Sequence, residues 1–79
     1  MKKALEYFTQ FENTFEMERF FNFTIKGDTI DAMGYFTREN IDYFKSKKCT
    51  FQFDNGLGMA VSTYVEYGIT IRIILTPTS

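Results

Sequence analysis

Between residues 2 and 17, apolar side chains recur at Ala4, Phe8, Phe11 and Phe15, spacings of four, three and four, which share one stripe at about 100° per residue. The spacing predicts an amphipathic helix. Leu5 and Tyr7 flank the stripe, and Glu6, Gln10, Asn13 and Glu16 lie away from it, so the helix is expected to cover a face of another element.

From Arg19 the period shortens to two: Phe21, Phe23 and Ile25 alternate with Asn22, Thr24 and Lys26, and Gly27-Asp28 stops the run. A two-residue turn there pairs Lys26 with Thr29, Ile25 with Ile30, Phe23 with Ala32 and Phe21 with Gly34. Phe20, Asn22, Thr24, Asp31, Met33 and Tyr35 then form the mixed opposite side. Thr37 offers an N-cap oxygen, Glu39 lies in the first turn and Lys45, Lys47 and Lys48 lie in or past the last. A short helix over about 38 to 46 follows, burying Ile41 and Phe44 with Tyr43 at its margin.

The last thirty residues alternate through two loops that end in glycine, Asp54-Asn55-Gly56 and Glu66-Tyr67-Gly68. Read as three-residue loops with a left-handed glycine, they pair Phe53 with Leu57, Phe51 with Met59, Cys49 with Val61, Val65 with Ile69 and Thr63 with Ile71. Met59, Val61, Ile71, Ile73 and Leu75 then share the core face, and Ser62, Tyr64, Arg72 and Ile74 the reverse face. Pro77 ends the last strand and Thr78-Ser79 forms a fraying tail. The expected fold is α+β, order α-β-β-α-β-β-β, an antiparallel sheet with helices packed on one face.

Length confines this to one compact domain over residues 1–79 with a limited core. Ten Phe and five Tyr enlarge that core. A formal net charge of -1 with 44% hydrophobic residues excludes a disordered tail and a polycationic coat. Glu6, Thr9, Gln10 and Glu12 interrupt any signal-peptide run, and the longest apolar stretches are far too short to cross a bilayer. The single Cys49 cannot close an internal disulfide, which points to a reducing, cytoplasmic compartment.

The chain has no His, so it lacks an imidazole base near neutrality and a Cys/His zinc set. Cys49 reads as a small buried hydrophobe. The near pairs Asp28/Asp31 and Glu39/Asp42 sit beside a hairpin turn and in a helix's first turn, where acids serve structural ends. Gly56-Leu57-Gly58 lacks the strand-to-helix setting of a phosphate loop. No enzyme, metal or cofactor is therefore expected.

The expected function is that of a small protein-binding module, also a candidate homodimer, that occupies a partner's surface. A short, self-contained chain opening at methionine fits an inhibitor or adaptor of the kind a virus or mobile element encodes against a host protein. Its candidate partner-binding residues are Phe20, Tyr35, Tyr43, Tyr64 and Tyr67, since aromatic side chains carry disproportionate binding energy at interfaces. The alternative is a nucleic-acid-binding regulator using Arg38, Lys45, Lys47 and Lys48, a segment of charge +2 after subtracting Glu39 and Asp42.

Overall fold

In a computed structural model, which describes residues 3–78, both periodicities form the elements they predict, and the differences lie in register and in the direction of one strand pair. Lys2, within the expected first helix, and Ser79, within the expected tail, lie outside the described residues. Helix α1 spans Lys3–Thr14 and a 3-10 turn covers Met17–Arg19. Strands β1 (Asn22–Lys26) and β2 (Thr29–Tyr35), helix α2 (Arg38–Ser46) and strands β3 (Gln52–Asp54), β4 (Met59–Glu66) and β5 (Ile69–Thr76) follow. Thr37 caps α2 as expected, its hydroxyl accepting from the Asn40 N–H at 3.1 Å.

The strands form one five-stranded sheet in the order β1-β2-β5-β4-β3. The expectation of a purely antiparallel sheet is corrected: β2 and β5 run parallel, with Thr29 beside Thr70 and Tyr35 beside Thr76. Composition explains why β5 takes the centre. Its run Ile69 to Leu75 places apolar side chains on both faces, at Ile71 and Ile73 and at Ile74, which suits a strand flanked on both sides. A parallel neighbour requires a crossover, supplied here by α2, β3 and β4.

The β1–β2 register matches the sequence reading from Lys26 opposite Thr29 to Phe23 opposite Ala32. The last thirty residues do not. Glu66 pairs with Ile69, leaving a two-residue turn of Tyr67 (φ 54°) and Gly68 (φ 76°), the left-handed pair of a type I′ hairpin. The other loop has four residues: Asp54 pairs with Met59, its carbonyl accepts from Gly58 N–H at 2.8 Å, and Gly58 rather than Gly56 is left-handed.

Because side chains alternate, this shift turns β4 over. Ala60 and Ser62 are buried beside Leu75 and Ile73, and Met59 and Val61, expected in the core, lie on the opposite face. β5 keeps its expected inward set of Ile71, Ile73 and Leu75. Cys49, expected in a strand opposite Val61, precedes β3 and is half-buried.

The buried side chains form one cluster in which Ala4, Tyr7, Phe11 and Phe15 of the N-terminal segment and Ile41 and Phe44 of α2 meet Ile30, Ala32 and the inward residues of β4 and β5. Tyr7 replaces Phe8 in the fully buried stripe of α1, and Phe8 packs at its margin against Phe11 and Phe23.

Candidate interaction surfaces

The aromatic residues separate into a buried group and an exposed group at a boundary that alternation misplaces. The 3-10 turn ends just before Phe20, and the N–H of Phe21 donates to the Met33 carbonyl at 2.9 Å. Phe20 therefore turns inward. It is 8% exposed, with its ring 5.2 to 5.6 Å from those of Phe23, Phe44 and Phe11. As a partner-binding candidate Phe20 is corrected, since a side chain packed on all sides offers a partner nothing. Phe21, expected in the core, is instead 49% exposed and stacks on Tyr35 at 4.7 Å.

Tyr43 is half-buried and engaged within the chain: its hydroxyl accepts from the Glu16 N–H at 2.8 Å, and the Arg19 guanidinium lies 4.3 Å from its ring centroid. Arg19 also bonds Glu16 at 2.8 Å and Asn40 at 3.0 Å. Tyr43 thus fastens the 3-10 turn to α2.

Tyr64 is half-buried on the Ser62 side of β4, and burial, then nearby Cys49, Tyr7 and Glu66, pushes its hydroxyl pKa up. Tyr67 is 78% exposed at the β4–β5 turn, its ring centroid 6.0 Å from that of Tyr7, whose hydroxyl donates to Glu66. Tyr35 and Tyr67 are exposed at opposite ends of the sheet, because Tyr35 aligns with Thr76 while Tyr67 precedes Ile69.

The sheet face opposite Ile71 and Ile73 is built by the alternate residues. In register across it run Asn22, Met33, Ile74, Val61 and Gln52, an apolar centre between polar ends. The adjacent row is Thr24, Asp31, Arg72 and Thr63. Its two charges neutralise each other, Arg72 binding Asp31 through two nitrogens at 2.7 and 3.1 Å. Phe21 and Tyr35 stand at one end of this face.

The four basic candidates line different clefts. Lys47 and Lys48 border a concavity of about 380 Å³ with Cys49, Ser62, Tyr64 and Glu66, left where the turned-over β4 presents polar side chains inward. Burial pushes the Cys49 thiol pKa up, with the Ser62 hydroxyl offsetting part of the rise, so the neutral thiol is favoured. Arg38 and Lys45 border a second cleft of about 360 Å³ between α2 and β3, floored by Phe36, Ile41 and Phe53. Phe53, expected in the core, is 54% exposed there.

Of the paired carboxylates, Asp31 is held by Arg72 and Glu39 lies 3.5 Å from Arg19. Among the described residues, no group of three or more His, Cys, Asp or Glu side chains is placed to hold a metal ion. No helix among them is long and apolar enough to cross a membrane. No family model, curated protein or solved structure matches this chain.

Proposed function

We propose that the chain is a non-enzymatic protein-binding module that acts by covering part of a partner's surface, and that it docks through the sheet face bearing Phe21, Tyr35, Met33, Val61 and Ile74. The observation that supports this reading is the stacked Phe21–Tyr35 pair, two rings each about half exposed (49% and 47%) beside an apolar row. Aromatic anchors beside a row whose charges, Asp31 and Arg72, neutralise each other suit an interface core, where unpaired charge is costly. Buried side chains of both helices cluster with Ile71 and Ile73, which supports taking the opposite face as the broad one left for contact.

The finer reading, an inhibitor or adaptor directed by a virus or mobile element against a host protein, belongs to the same proposal. So do the cytoplasmic setting suggested by the lone Cys49 and self-association through this face. Affinity capture from the native host with the wild-type chain and a Phe21→Ala/Tyr35→Ala variant tests the main reading. Recovery of one protein by wild type, reduced about tenfold or more in the variant, is the expected result. Recovery of nucleic acid alone, or equal recovery by both chains, sinks it. A strictly monomeric solution mass at high concentration rejects the homodimer.

A further inference from the structure

The end of the sheet opposite β1 is unfinished. β3 pairs only with β4, and no other backbone hydrogen bond among the described residues reaches its outer edge. Phe53 shares the face of Ala60 and Leu75, the face that elsewhere lies against buried side chains, yet it is 54% exposed. Its ring meets Phe36 at 5.8 Å, and the two, with Ile41 of α2, floor the cleft of about 360 Å³.

The rim is basic. Arg38 and Lys45 are seven residues apart on α2, hence on one side of it, and both line the cleft. Neither has a carboxylate within ion-pair distance among the described residues, although Asp42 lies between them on the same rim. The rise between them is about 10 Å, roughly three residues of extended chain.

We propose that this cleft receives an extended acidic segment of a protein partner, laid beside β3 with one apolar side chain among Phe36, Ile41 and Phe53 and flanking carboxylates facing Arg38 and Lys45. An open strand edge supplies main-chain pairing and the adjoining cleft selects the side chain, which is the division of labour in strand addition. The rim charges choose an acidic segment over a neutral or basic one. This inference rests on the reading of the chain as a protein-binding module, and it adds a second contact region distinct from the Phe21–Tyr35 face.

The test uses the full chain and a fluorescein-labelled peptide of roughly ten residues, a central Leu flanked by Asp and Glu, followed by anisotropy and by amide chemical shifts. Saturable binding is expected, with shifts concentrated at residues 36 to 45 and 51 to 54. Arg38→Glu/Lys45→Glu and Phe53→Ala should each weaken it by about tenfold or more. A peptide with Lys in place of each acid, or with Pro at the central positions, should bind at least about tenfold more weakly. The charge variant alters only exposed side chains, so its fold is checked by an unchanged melting curve and keeps the test valid if Phe53→Ala unfolds.

Absence of binding at millimolar peptide, binding indifferent to these variants, shifts confined to the Phe21–Tyr35 face, or a β3-mediated dimer filling the cleft each overturns the proposal. An oligonucleotide that takes the Arg38/Lys45 rim in place of the peptide does so as well. Host capture that depends on Phe21 and Tyr35 while the peptide fails leaves the docking face standing and removes this inference alone.

Discussion

A methyl group on Gly34 would lie 2.6 Å from the Arg19 carbonyl oxygen and 3.3 Å from Leu75 Cδ2. The first contact is with backbone, so side-chain rotation cannot relieve it. Gly34→Ala is expected to destabilise by about 1–3 kcal/mol, read as a lowered urea midpoint, because the 3-10 turn must move off β2. Lys48 presents the reverse case. Lys48 and Cys49 donate to the carbonyls of Lys45 and Phe44, both at 3.0 Å, closing α2 with a Schellman pair. Its φ of 66° puts a lysine where glycine is preferred. Lys48→Gly is therefore expected to raise stability by about 0.5–1 kcal/mol, with an unchanged denaturant slope.

At the scale of elements, periodicity was enough to place both helices, the β1–β2 pairing and the inward face of β5, because each rests on many side chains agreeing in phase. What it misjudged hangs on single backbone conformations. Tyr67 at positive φ makes the β4–β5 loop two residues long, and tyrosine carries no signal for that conformation, unlike Asn or Gly. That one residue exchanges Met59 and Val61 for Ala60 and Ser62 in the interior. The inversion of Phe20 and Phe21 has a similar origin, in the 3-10 turn ahead of β1. Gly34 was the available clue, since an isolated glycine in a strand marks close backbone approach.

The same inverted β4 brings Glu66 within hydrogen-bond reach of Tyr7, joining its end to α1. Burial, then the bond to Glu66, holds the Tyr7 hydroxyl pKa above the usual tyrosine value of 10.0. Unfolded chains lose that proton first, so the contribution of Tyr7 is level below about pH 10 and is lost as pH rises beyond it. Urea midpoints between about pH 9 and pH 11 should decline, and less steeply in Tyr7→Phe, with Tyr64 supplying part of the slope that remains.

For the whole molecule, the decisive quantity is how little core there is to lose. A chain of 79 residues has a total stability of roughly 4–12 kcal/mol. Phe44 is fully buried, and its ring lies 5.5 to 6.1 Å from those of Phe20, Phe15 and Phe51. These join α2, the segment after α1 and the approach to β3, so Phe44 links parts of the chain that backbone pairing leaves separate. Phe44→Ala should cost about 3–5 kcal/mol, the transfer of the ring plus the cavity it leaves. Against that total, the loss consumes about a quarter or more of the stability and is expected to leave a measurable unfolded fraction at low urea. Helical and near-ultraviolet signals should still fall together, because the buried residues belong to one cluster. Separate transitions for helix and sheet would show that the cluster does not act as a unit. In that case the face carrying Phe21 and Tyr35 would be held by strand pairing alone, and Phe44→Ala would leave partner capture through it intact.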